Sequence, residues 1–81
     1  MCLLLAKKIS SIDMRVSEKL TALTLAIYAD ETTRRIHINL VDLTNLTGQT
    51  KDKARKNIHL FCGMGLLIRE KHNWFRFNSD I

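Results

Sequence analysis

His59 and Cys62 stand three residues apart, a spacing that puts two metal-ligating side chains on one side of a helix. A structural zinc site takes four ligands, and the sequence carries no second His/Cys pair to complete one. The same two residues could act as nucleophile and base, but no third group is spaced to orient the histidine. Neither a glycine-rich phosphate loop nor a pair of acids stands out elsewhere. These residues therefore predict no enzyme, no metal and no cofactor. Cys62 reads as a small buried thiol. With Cys2 as the only other cysteine there is no disulfide framework, which suits a reduced, cytoplasmic chain.

The charged residues say more. Thirteen Lys and Arg against eight Asp and Glu give a net charge of +5. Nearly all of the excess falls between residues 49 and 76, where Lys51, Lys53, Arg55, Lys56, Arg69, Lys71 and Arg76 face only Asp52 and Glu70. Such asymmetry points to a polyanionic partner on one face. The competing reading is an ordinary solvated basic surface. The apolar start at Met1–Ala6 has no basic residue ahead of its apolar run, and Lys7 and Lys8 cut it short, so it reads as neither signal peptide nor membrane span.

The elements that must position these charges follow from periodicity. At 81 residues the chain suits one domain with a small core, and a hydrophobic share of 46% excludes a disordered composition. Residues 1–16 read as a short helix or as an arm lying over the domain. A helix is predicted over 17–31, with Ser17 as N-cap and Glu18 in its first turn. Val16, Leu20, Leu23 and Ile27 share one of its faces; Ala22, Leu25 and Ala29 share the other. A helix apolar nearly all round is buried on two sides, so the second face calls for the arm or for a second subunit. Thr32–Arg35 reads as a loop and Ile36–Ile38 as a short strand.

Asn39 is the expected cap of a short helix that buries Leu40, Leu43 and Leu46 and stops at Gly48. Thr50 caps the next helix, 51–62, whose Ala54, Ile58 and Phe61 form an inward stripe. Asn57 falls on its flank. Gly63 or Gly65 ends it. Leu66–Arg69 and Trp74–Phe77 then form a hairpin around Lys71–Asn73. Alternation puts Phe75 and Phe77 in the core, and Trp74 with Arg76 on the opposite face. Exposed aromatics beside cations also invite a nucleic-acid stacking reading.

The stretch from Leu20 to Ile68 resembles the winged helix-turn-helix of phage and plasmid replication initiators and of many bacterial regulators. The resemblance rests on the Leu20–Glu31 run with its Tyr28-Ala29-Asp30 end, on Leu43-Thr44-Asn45-Leu46-Thr47-Gly48, and on the spacing of Thr50, Ala54, Ile58, Phe61, Gly65 and Leu66. Gln49 departs from it, since an apolar residue usually follows the turn glycine. Leu60 departs too, on the outer side of the third helix.

The resemblance implies a mainly helical α+β winged helix-turn-helix, with an arm over 1–16 and the domain over 17–81. It implies sequence-specific binding of double-stranded DNA, as a transcriptional regulator or an initiator's origin-binding domain. The residues expected to meet DNA are Gln49, Thr50, Lys51, Asp52, Lys53, Arg55, Lys56 and His59, with Arg69, Lys71, His72 and Arg76 in the wing. A homodimer paired through Ala22, Leu25 and Ala29 is a further expectation. The rival function is a protein-docking winged helix that engages a replication, transcription or host factor.

Overall fold

The computed structural model describes residues 3–78, with side chains from Leu4 onward; Cys2 lies outside the described residues. The element order is α1 (Leu3–Ser10), α2 (Val16–Tyr28), β1 (Arg35–His37), α3 (Leu40–Thr47), α4 (Lys51–Met64), β2 (Leu67–Lys71) and β3 (Trp74–Phe77). The fold is mainly helical α+β. Its strands form one antiparallel sheet in the order β1-β3-β2, so β3 is central and pairs with the distant β1 as well as with its hairpin partner. Within the described residues no helix is long and apolar enough to cross a membrane.

One apolar core joins all the layers. Leu5 and Ile9 of α1, Ala22, Leu25 and Ala26 of α2, Ile36, Leu43, Ala54, Phe61, Leu67, Phe75 and Phe77 are all buried in it. The N-terminal segment is thus a helix, and it completes the core. Leu25 is 0% exposed within this single chain, so the Ala22–Leu25–Ala29 face needs no second subunit to cover it. That corrects the expected dimer face. Of the leucines beside it, Leu5 is buried and Leu4 is exposed. The opposite face of α2 is covered only at Leu23, which packs against the core; Val16 is 86% exposed, and Leu20 and Ile27 are each 44% exposed.

Local chemistry explains the ends of the helices. α2 starts one residue earlier than its sequence suggests: the Arg15 N–H donates to Glu18 Oε1 at 3.2 Å, and Ser17 lies inside the helix. It stops at Tyr28 because Asp30 offers the backbone an alternative. Asp30 Oδ1 accepts from the Thr32 and Thr33 N–H groups, both at 2.8 Å. Those donors, Thr33 first and Thr32 second, favour the ionised carboxylate and hold Asp30 below its ordinary pKa. Asn39 caps α3 as expected, accepting from the Asp42 N–H at 2.8 Å. Gly48 ends that helix at φ 70°, a conformation that suits glycine.

Leu40 and Leu43 turn inward, but Leu46 is 46% exposed. Steps of three residues drift around a helix of 3.6 residues per turn, so the third leucine has left the buried face. Thr50 caps α4 through the Lys53 N–H, and the helix runs past Gly63 to a left-handed Gly65.

Candidate nucleic-acid interface

Helix α4 has a cap, a buried stripe and a charged outer side. Ala54, Asn57, Ile58 and Phe61 are buried, the i, i+3, i+4, i+7 pattern of a helix packed on one face. Lys51, Asp52, Lys53, Arg55, Lys56 and His59 are all exposed. Arg55 reaches back to Asp52 at 3.4 Å, an exposed i,i+3 pair of little strength. Among the described residues, Lys51, Lys53 and Lys56 make no ion pair.

Two polar residues take places that the sequence did not foretell. Asn57 is 4% exposed. Its Nδ2 donates to Thr21 Oγ1 at 3.0 Å and to Gln49 Oε1 at 3.3 Å. Gln49 Nε2 donates to the Ser17 carbonyl at 3.0 Å, and Thr21 Oγ1 lies 3.1 Å from Gln49 Oε1. This network ties α2, the turn after Gly48 and α4 together, and no buried side-chain polar atom among the described residues lacks a partner. The apolar position that Gln49 replaces is therefore filled by a polar group with its bonds made. Gln49, expected to meet DNA, is thus engaged inside the fold, and Asn57, expected on the flank of α4, is buried. The signal was present in part: Asn57 sits at the i+3 position of an otherwise apolar stripe.

The hairpin divides its charges by face. Arg69 lies on the side of Phe75, its guanidinium carbon 5.3 Å from the ring centroid. Between α4 and the hairpin is a hollow of about 180 Å³, with Ile38, Ile58 and Phe75 as its apolar lining and Arg55, Arg69 and His72 as its basic lining. No carboxylate lines it. Asn73 shapes the tip with φ 62°, a left-handed conformation that asparagine tolerates. Lys71 and His72 project there, both exposed.

Arg76 takes the face that alternation predicts, beside Trp74, but it is engaged there by an acid. It lies on the outer face of the sheet, where its Nε is 3.3 Å from Glu70 Oε2. Arg35 holds the other oxygen of the same carboxylate at 2.9 Å. Its charge is therefore shared with an acid thirty-five residues from Arg35 in the chain, a pairing with no local sequence signal.

Lys51, Lys53, Arg55, Lys56, His59, Arg69, Lys71 and His72 thus belong to α4 and the adjoining hairpin. Gln49 and Arg76 are drawn into internal contacts, and Thr50 serves the helix cap. No protein-family model matches the chain, and comparison with curated proteins and with solved structures gives no match.

Proposed function

We propose that this chain is a winged helix-turn-helix domain that binds double-stranded DNA, with α4 entering the major groove and the β2–β3 hairpin acting as the wing. One observation carries the reading: α4 exposes Lys51, Lys53 and Lys56, and its Arg55 lines a hollow with Arg69 and His72 of the hairpin that no carboxylate lines. The order α2, β1, α3, α4, β2, β3, with β1 paired to β3, supports the winged reading. Lysines on such a helix serve phosphates more than base edges, while Arg55 can do either. The roles that suit this domain are transcriptional regulation or origin binding by a phage or plasmid initiator.

The test is a salt titration. Four to six phosphate contacts give a slope of roughly −4 to −5 in log K against log salt. Lys53→Ala and Lys56→Ala should each reduce the slope by about 1. Both should change stability by less than about 0.5 kcal/mol, as read by thermal melting. A slope near zero overturns the reading.

A protein-docking role is favoured by a different observation, the exposed apolar side chains Val16, Leu20 and Ile27 on one face of α2, with Leu60 exposed on α4. Under that reading DNA affinity is negligible, and Leu20→Glu abolishes capture of the protein partner while the fold persists.

A further inference from the structure

The duplex-binding reading leaves Trp74, His37 and Arg35 on the outer face of the sheet unused, and shares only Lys71 with it. There Trp74 on β3 and His37 on β1 are register partners, and their rings stack at 4.7 Å with 24° between planes. Trp74 remains 39% exposed. Arg35 and Trp74 border two hollows, one of about 270 Å³ with Glu70 and Lys71, the other of about 510 Å³ with Tyr28 and His37. Either exceeds the roughly 150 Å³ that admits a benzene ring. The cations here are Arg35, Lys71 and Arg76, against two acids: Glu70, whose two oxygens hold the guanidiniums in place, and Asp30, which lines the larger hollow.

We propose that this face binds an unpaired base of single-stranded nucleic acid, stacked on Trp74, with the neighbouring phosphates held by Lys71 and by Arg35, whose side chain stays 54% exposed while paired with Glu70. The chemistry follows from three features. A ring steadied by His37 loses little freedom when a base stacks on it, so stacking is not offset by ordering. In a duplex both faces of each base are covered by neighbours, whereas an unpaired base offers one. The small excess of cations, three against two acids, suits a phosphate chain, and an uncharged aromatic ligand would leave it unused.

The proposal is tested at Trp74 and Arg35, and neither is among the residues of α4 and the hairpin assigned to the duplex. Its failure is therefore separable from failure of the duplex reading.

Trp74 is the only tryptophan in the chain, so its fluorescence reports this face directly. The full chain is titrated with a short oligothymidylate, with the matching oligouridylate, and with a duplex of the same length. Saturable quenching is expected with the single strands, and comparing the two oligomers tells DNA from RNA preference. The duplex should bind, as read by anisotropy of a label on the DNA, without the same quenching. Trp74→Leu should weaken labelled oligothymidylate binding roughly tenfold while leaving duplex binding within about twofold. Arg35→Gln should weaken it several-fold with quenching retained. Circular dichroism checks the fold, and Trp74→Phe, which keeps a ring, should retain part of the affinity. Absence of quenching overturns the proposal. So does equal quenching by duplex or by heparin, or single-strand affinity unchanged in Trp74→Leu and Arg35→Gln. Binding of acid-rich peptides in place of oligonucleotides overturns it as well.

Discussion

The two sides of α4 obey different rules. On the inner side Ala54, Asn57, Ile58 and Phe61 are held by shape and by directed hydrogen bonds, and each has one arrangement that fits. On the outer side Lys51, Lys53 and Lys56 are solvated, and their worth lies in charge alone. The hairpin repeats the division. Phe75 and Phe77 are buried, while across the sheet Arg35 and Arg76 close on Glu70. The comparison teaches that a count of cations is not a count of available cations. Arg76 and Lys53 carry the same formal charge, yet one is engaged by an acid and the other faces water.

The largest test of this contrast is on the buried side. Leu25→Glu places an unpaired carboxylate where the native side chain is fully buried. It should unfold the chain, since domains of this size hold only about 5–15 kcal/mol. Circular dichroism and light scattering decide. A folded monomer produced from a wild-type dimer would mean that the face is an interface after all.

Asn57→Ala comes next. It strips Thr21 and Gln49 of a partner inside the α2–α4 junction and should cost about 1–3 kcal/mol in urea unfolding. A cost near zero would show that the network is ornamental to the fold.

Glu70→Gln probes the outer face, where ion pairs are partly solvated. The loss should be about 0.2–1 kcal/mol in low salt and should vanish as salt is raised. Insensitivity to salt would place the effect in packing.

The smallest effect expected is at Asp30. Its pKa is lowered in the folded chain, so its contribution is fully present above the unfolded value, near 3.8, and is lost as pH falls through the folded value. Asp30→Asn should flatten the acid limb of the stability profile below that pH and lower stability slightly in the neutral region, where the carboxylate's contribution is lost. An acid limb identical to wild type would remove Asp30 from the linkage.

Much of the architecture was legible because it is local. The Asn39 and Thr50 caps, the Gly48 break, the Ala54–Ile58–Phe61 stripe and the alternation of Phe75 and Phe77 each depend on neighbours within a few residues. Periodicity also identified α2 as apolar on two sides, but it could not say which side the core would take. A hydrophobic pattern records what could be buried, and only the packed helices determine what is.

The candidate site divides along the same line. The exposed side of α4 could be read from its spacing. The inward turn of Gln49, the burial of Asn57 and the capture of Arg76 by Glu70 could not. The sequence alone determined α3 and α4 with their caps, the body of α2, the hairpin and the basic half of the chain, because each rests on short-range geometry or on composition. The tertiary structure decided that α1 covers Leu25's neighbourhood, that Thr21, Gln49 and Asn57 meet, and that His37 stacks on Trp74. Those contacts join residues far apart in the chain, and hydrogen bonds, ion pairs and ring stacks act only at the distances that folding brings about.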